Sequence, residues 1–427
     1  MKAVVLAAGE GTRLQPLTFT RSKHMIFIAG KPMLEYLLTA LRDGGITEVF
    51  IVISHYKEMV QNYFGDGKKW NLKIQYMPQK ELLGTANAIA VTEEYTGCDR
   101  FLVVYGDLLI NSSVIKSALR KHVETGLDTL SAVPVKNPLH YGVVTLKNGM
   151  VEEIVEKPKA GTIRSNLVNA GVYVFSGEIF EEIRKTSRSV RGEYEITDTI
   201  KQLLDRKIKI ASNTVSSEDW MDIGQPWDLL EANQRILERM PSNIRGKVED
   251  GAHVIGTLTL KEGARVRSGA YIEGPAYIDT GSDIGPNCYI RPSTSIGKNV
   301  RIGNACEVKN SLIMDETHLG HLSYVGDSII GQNCNLGAGT ITANLRFDKG
   351  TVKVKIKEQL TDSGLTKLGV IMGDNVQTGI GSRVMPGVKI GPDSWIGPNA
   401  VLYRDIPSNM YVMQRQELTS LDMKNKD

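Results

Sequence analysis

A chain of 427 residues is longer than one ordinary hydrophobic core fills, so two or three domains are expected. Hydrophobic residues at 41% and charged residues at 23% are the proportions of a soluble globular protein. A net charge of +3 gives no case for a nucleic-acid or membrane partner, so positive potential is expected only where an anionic substrate sits. The four cysteines, Cys98, Cys288, Cys306 and Cys334, are scattered without a CxxC pair, which fits reduced thiols better than disulfides or a zinc site. The opening MKAVVLAAGEGTRL is too short in its apolar run for a signal peptide or a membrane span. A cytoplasmic protein is expected.

In chain order, Ala3–Leu6, Val49–Ile53 and Phe101–Val104 read as buried strands, with an amphipathic helix at Pro32–Arg42. Strands alternating with helices predict an α/β domain with a mostly parallel sheet, whose ligands lie beyond the carboxyl ends of the strands. The segment Leu6-Ala7-Ala8-Gly9-Glu10-Gly11-Thr12-Arg13-Leu14 follows the first strand. Its glycines let backbone N–H groups come close to phosphates, and Arg13 adds a fork of donors. Lys23 and then Gly30-Lys31-Pro32 follow. Pro226–Met240 reads as a helix with Pro in its first turn and Pro241 beyond its end. It marks a boundary between a first domain at 1–225, a linker helix within 226–245, and a second domain at 246–427.

Beyond it, Val254, Leu260, Val266, Ile272, Ile278, Ile284, Ile290, Ile296, Ile302 and Val308 recur at a spacing of six. The pattern resumes out of phase at Leu319, Val325, Ile330 and Leu336, and again at Val384, Ile390, Ile396 and Leu402. Neither a helix nor an alternating sheet uses that period. A triangular coil does, with each hexapeptide forming one face and its aliphatic residue pointing inward. The repeats resemble the hexapeptide-repeat family, which implies a left-handed parallel β-helix, against the usual crossover hand, and a homotrimer. Arg346–Lys367 breaks the repeat and is expected to be an arm or loop.

The first half resembles the sugar-1-phosphate nucleotidyltransferase family in LAAGxGTRL, the reactive Lys, GKP, and later segments in the family's order: Gln79 with Leu83-Gly84-Thr85, Tyr105-Gly106-Asp107, Tyr141-Gly142-Val143, Glu156-Lys157-Pro158, Asn169-Ala170-Gly171 and Trp220-Met221-Asp222-Ile223-Gly224. The resemblance implies a Rossmann-like domain that joins a sugar-1-phosphate to a nucleoside triphosphate, UTP or dTTP, with release of pyrophosphate. Two like-charged reactants must be held in line, so positioning and charge neutralisation carry the catalysis. By the resemblance Leu6, Ala8, Gly9, Gly11, Thr12, Gln79, Gly84 and Thr85 bind the nucleotide, Arg13 holds the leaving pyrophosphate and Lys23 the transferring phosphate. Asp107 and Asp222 hold Mg²⁺. Gly142, Glu156 and Asn169 contact the sugar, and Lys157 neutralises its phosphate. Taken singly, an Asp after Gly is ordinarily a turn residue and Glu156-Lys157 a solvated pair; their joint order is what carries the reading. Two departures stand out. Ser22 precedes Lys23 where the family has Pro, which removes a rigid φ. The Asp222 motif is closer to glucose-1-phosphate thymidylyltransferases than to the bacterial uridyltransferase.

Within the coil, Glu307-Val308-Lys309, Gly320-His321-Leu322-Ser323-Tyr324-Val325-Gly326-Asp327 and Asn335–Asn344, with Arg291 upstream, resemble the acetyltransferase domain of the bacterial bifunctional N-acetylglucosamine-1-phosphate uridyltransferase/glucosamine-1-phosphate acetyltransferases. Amine attack on a thioester needs a base near neutral pKa, for which histidine is suited. By the resemblance His321 is that base and Glu307 orients it. Arg291 and Lys309 bind the sugar phosphate, and Tyr324, Asn335 and Asn344 position the sugar and the acetyl group of acetyl-CoA. The Ala338 N–H steadies the oxyanion. Leu345 replaces the bacterial Tyr, and His318 reads as a surface residue. The expectation is therefore a bifunctional enzyme forming UDP-N-acetylglucosamine. The alternative is a monofunctional thymidylyl- or uridylyltransferase with a structural or regulatory coil.

Overall fold

The computed structural model describes residues 1–159 and 161–420, so the last residues of the expected second domain, 421–427, lie outside the described residues. The chain divides into two compact units. One comprises Met1–Leu14 and Arg21–Asp228; the other comprises Gln15–Thr20 and the chain from Leu229 onward.

In the first unit nine strands form one sheet: β1 (Lys2–Ala7), β2 (Glu48–Ile53), β3 (Lys73–Pro78), β4 (Phe101–Tyr105), β6 (Thr129–Pro134), β7 (Gly142–Lys147), β8 (Met150–Glu156), β9 (Leu167–Phe175) and β10 (Ala211–Thr214). Their order is β3-β2-β1-β4-β9-β6-β10-β8-β7. The first four run parallel, as the buried apolar runs predict. Beyond them β9 and β8 run against their neighbours, so the sheet is mixed. Both faces are covered. Ala3, Val5, Val49 and Ile51 pack into one core, and Val4, Phe50, Val52 and Val103 into the other. That two-sided burial is why the strands show no polar alternation. A separate ribbon pairs β5 (Leu108–Ile110) with β11 (Trp220–Asp222). The helix α1 (Met33–Asp43) follows Pro32, buries Leu34, Leu37, Leu38 and Leu41 on one face, and is capped by Gly44.

The second unit is a three-faced coil of short parallel strands, the left-handed parallel β-helix expected of the hexapeptides. Val266, Ile284, Ile302, Leu319 and Leu336 stack inward on successive coils of one face, each almost wholly buried. The coil repeat is 18 residues at Asp283↔Arg301 but 17 at Arg301↔His318 and again at His318↔Asn335. Each shortened coil loses one residue between the third and first faces, where Val308 to Ile313 and Val325 to Ile330 span five positions instead of six. This accounts for the phase break in the repeat. Asn310 and Asp327 occupy those two corners with left-handed φ of 44° and 49°. The Arg346–Lys367 segment contains a hairpin, Lys353–Ile356 against Gln359–Asp362. It is no free arm: Val352 and Val354 are buried, and a Cβ on Gly387 would come within 2.7 Å of Val352 Cγ1. The helix Asp228–Arg239 sends Asn233 into this unit, where its amide donates to the Ser293 carbonyl at 2.7 Å and accepts from Ser295 Oγ at 2.6 Å.

Candidate active sites

In the first unit the sequence motifs converge at the carboxyl ends of the central strands. Leu6 pairs with Tyr105, and Gly106 donates to the Leu6 carbonyl at 2.9 Å, so the glycine loop and the Asp107 turn are neighbours. Leu108 is paired with Asp222, and Ile223 N donates to the Asp107 carbonyl at 3.0 Å, which brings the two carboxylates together. Lys23 Nζ forms an ion pair with Asp107, and it also lies 4.0 Å from the point where a Cβ on Gly9 would stand. A Cβ on Gly224 would meet Asp222 Oδ2 at 3.1 Å and Arg13 Nη1 at 3.2 Å, so Arg13 borders the same cluster. Burial pushes Asp222 up to about 7, with the Asp107 charge adding to it. Asp107 is subject to the same burial, but the Lys23 charge and hydrogen bond more than offset it and hold Asp107 below the usual range.

The sugar-side residues face one another nearby in the sheet. Gly142 pairs with Glu156, and a Cβ there would meet Glu156 Oε2 at 2.9 Å and Asn169 Cβ at 3.6 Å; only glycine leaves that space. Lys157, with a left-handed φ of 45°, sits 3.8 Å from Glu156. Burial lowers the Lys157 pKa, and Arg191 and Arg13 lower it further. Arg191 is itself paired with Glu195, so cations and carboxylates are interleaved beside Lys157. Gln79 donates to Asn87 at 2.7 Å, and Thr85 Oγ1 accepts from Ile196 N at 2.9 Å. Gly84 has φ of +105°, and a Cβ would strike the Tyr194 carbonyl at 2.5 Å. Two residues escaped the sequence reading. Arg191 donates to Glu156 at 3.3 Å. Tyr173, fully buried, accepts from Asn169 and shares a hydrogen bond of 3.1 Å with Tyr105. Only the fold brings them in: Tyr173 reads as one more apolar residue of a buried strand, and Arg191 lies in a loop with no local pattern.

In the coil, Glu307, Tyr324 and Ile341 are stacked on successive strands of the third face. Lys309 and Asn344 converge on a carboxylate that the sequence reading gave no role. Asp327 accepts from Lys309 at 3.2 Å, Asn310 at 2.8 Å and Asn344 at 2.5 Å, and its side chain is 5% exposed. Asn344 also donates to Tyr324 Oη at 3.0 Å. His321 ends the strand His318–His321 at the corner leading to this face, paired with Asn304. By the same 17-residue register Ala338 falls on the next coil at that corner. The Glu307 carboxylate pairs with Arg291 at 2.9 Å, one coil away. Asn335 lies on the second face, paired with His318.

A model of the nucleotidyl transferase family matches residues 2–239, a GMPPB C-terminal domain model matches residues 272–379, and a bacterial transferase hexapeptide model (six repeats) matches residues 369–404. The bifunctional protein GlmU of Methanocaldococcus jannaschii is 44% identical across 99% of this chain and 100% of its own length. The chain belongs to this family. A bifunctional sugar-1-phosphate nucleotidylyltransferase/acetyltransferase of Sulfurisphaera tokodaii is 40% identical over 95% of this chain and 98% of that protein. The crystal structure of a UDP-glucose pyrophosphorylase with UDP-glucose matches 56% of this chain and 99% of its own, at 26% identity and a TM-score of 0.52. The GlmU-type chain is thus a bifunctional enzyme, a sugar-1-phosphate nucleotidyltransferase and an acetyltransferase.

A GlmU-type nucleotidyl site calls for a divalent metal, and the donor set fits one. Asp107 and Asp222 are hard oxygen donors side by side, one needing an ammonium partner and the other driven toward its protonated form. A hard dication that completes its shell with substrate phosphates would relieve both. Among the described residues no group of three or more His, Cys, Asp or Glu is poised for a metal. No helix among them is long and apolar enough to cross a membrane.

Proposed function

We propose that the coil acetylates the amine of glucosamine-1-phosphate with acetyl-CoA, and that the sheet domain then transfers a uridylyl group from UTP to N-acetylglucosamine-1-phosphate, releasing pyrophosphate and UDP-N-acetylglucosamine. The observation that carries this reading is a pair of separate cation–carboxylate clusters, each able to seat a sugar phosphate. One is Arg13, Lys157 and Arg191 beside Glu156; the other is Arg291 and Lys309 beside Glu307 and Asp327.

In nucleotidyl transfer, Arg13 and the glycine loop bind the triphosphate and Lys23 neutralises the phosphate under attack, released from Asp107 when substrate arrives. Mg²⁺, held by Asp107 and Asp222, would neutralise phosphate charge as the new bond forms. Lys157 and Arg191 hold the incoming sugar phosphate, while Glu156 and Asn169 accept and donate at the sugar hydroxyls. Leu6, Ala8, Gly11, Thr12, Gln79, Gly84 and Thr85 enclose the nucleotide. In acetyl transfer, His321 removes a proton from the sugar ammonium, and the freed lone pair attacks the thioester carbonyl. The tetrahedral oxyanion accepts from the Ala338 N–H; as it collapses the C–S bond breaks, CoA leaves as thiolate, and the thiolate takes up the second nitrogen proton to give the free thiol and the neutral amide. Arg291, steadied by Glu307, and Lys309 hold the phosphate; Tyr324 and Asn344 place the sugar, with Asn335 nearer the acetyl donor. The enzyme works in the cytoplasm as a homotrimer built through the coil. Asp222 is the residue of thymidylyltransferases at this position, so dTTP is the nucleotide to set against UTP.

Thiol release from acetyl-CoA is expected only with an amino-sugar phosphate present. His321→Ala should abolish it while pyrophosphate release from UTP and N-acetylglucosamine-1-phosphate persists, and Asp107→Ala should give the reverse pattern. Loss of both activities in either folded variant would refute the two-site assignment. Profiling UTP against dTTP over several sugar phosphates fixes the nucleotide.

A further inference from the structure

Lys23 is flanked by Ser22 and His24, and the structure ties these two side chains to each other. Ser22 is buried, with φ of −61° and ψ of 140°, the backbone that a proline would impose. It opens the short helical turn Lys23–Met25, and its carbonyl accepts from Met25 N at 2.9 Å. Its Oγ accepts from His24 N at 3.4 Å and lies 3.1 Å from His24 Nδ1. The hydroxyl can donate to Nδ1 or accept from it, so the Ser22–His24 bond forms in either tautomer of the ring. The His24 ring is fully buried. It lies flush against the turn carrying Asp107: a Cβ on Gly106 would stand 3.0 Å from both Cδ2 and Nε2. Among the described residues Nε2 has no hydrogen-bond partner. An orphaned polar atom under a tight turn is a cost that a Phe ring or a Leu side chain would avoid. What the imidazole gains there is the bond to Ser22.

We propose that Ser22 and His24 form a positioning pair that holds Lys23 against the Asp107 turn, doing with a hydrogen bond what a rigid residue before Lys23 would do with a ring. Ser22 fixes where the turn starts, His24 docks the turn on Gly106, and Lys23 between them has its ammonium delivered to Asp107. Neither residue touches substrate. The proposal rests on Lys23 acting on the transferring phosphate, so Lys23→Ala is the first control.

The test is steady-state nucleotidyl transfer by the full-length enzyme carrying Ser22→Ala, Ser22→Pro, His24→Phe and the double variant Ser22→Ala/His24→Phe. Thermal melts and acetyl transfer by the same preparations report folding. Loosening a catalytic turn by a fraction of an ångström should lower kcat about tenfold or more with little change in KM for the triphosphate. That loss is expected for Ser22→Ala and for His24→Phe, and the double variant should be no worse than the weaker single because both break one link. Ser22→Pro should restore kcat to near the parent value, since among the described residues no hydrogen bond uses the Ser22 N–H. Full activity in Ser22→Ala, or multiplying losses in the double variant, overturns the pair. A kcat that tracks melting temperature, with no rescue by proline, does so too. If Lys23→Ala itself retains full activity, it is the role of Lys23 that fails, and the pairing has nothing to position.

Discussion

Asp222 shows how a single residue links charge, stability and metal demand. Its folded pKa, about 7, stands above the ordinary 3.8 because burial and the Asp107 charge oppose ionisation. The folded chain therefore holds this proton more tightly than the unfolded chain does. The stability it contributes is complete below about pH 4 and is lost as pH rises toward 7. In chelator-treated protein, Asp222→Asn should raise the stability of the first unit by roughly 1–4 kcal/mol at pH 8 and by nothing at pH 3, read from denaturant melts; equal effects at both pH values would remove Asp222 from its buried pairing. Asp327 is the residue-scale counterpart in the coil. Asp327→Asn keeps the shape but takes the anion from Lys309, so kcat for acetyl transfer should fall about tenfold, with nucleotidyl transfer untouched. Unchanged thiol release would exclude it from the site. Lys23, Asp107 and His321 can be singled out as candidates because short motifs carry them. Asp327 lies in the same short segment as His321, yet its contacts are invisible there because its donors Lys309 and Asn344 come from other coils.

Among the elements, the coil was the easiest to read and the easiest to misjudge. A spacing of six exposes the inward column directly, and Ile302→Ala should cost about 2–5 kcal/mol because the neighbouring coils cannot collapse into the space. The two shortened coils appeared in the sequence only as a loss of phase. Their meaning needed the register, which puts the missing residues at the corners of Asn310 and Asp327, where the polar cluster gathers. Inserting one glycine after Asn310 would restore the six-residue spacing there. The expected result is loss of acetyl transfer with pyrophosphate release unaffected; a fully active acetyltransferase would show that the shortening is incidental. In the sheet unit the strand pattern predicted the parallel half and missed the antiparallel β8 and β9, since a strand buried on both faces carries no mark of direction.

For the molecule as a whole, each unit has its own apolar interior, one on both sides of a sheet and one inside a triangular coil. The change of period near Pro226 made that division legible. Nothing local marks Gln15–Thr20, lying between two expected catalytic residues, as a piece that groups with the coil. If the two reactions are joined only by a released intermediate, a mixture of His321→Ala and Asp107→Ala proteins should convert glucosamine-1-phosphate to the final nucleotide sugar, with a lag that shortens as protein concentration rises. Absence of product from the mixture would mean that the intermediate never leaves the chain that made it.

The hairpin that interrupts the coil carries a practical corollary. Coils on either side pair directly across the insertion, Asn335 with Gln377 and Ile341 with Arg383, so the wall of the coil closes without it. Its first strand is pinned by Val352 and Val354, whereas the tip at Lys357 and Glu358 turns with two left-handed residues and faces solvent. A reporter peptide or fluorophore grafted at that tip would ride on a rigid stalk, leaving the scaffold beneath it undisturbed.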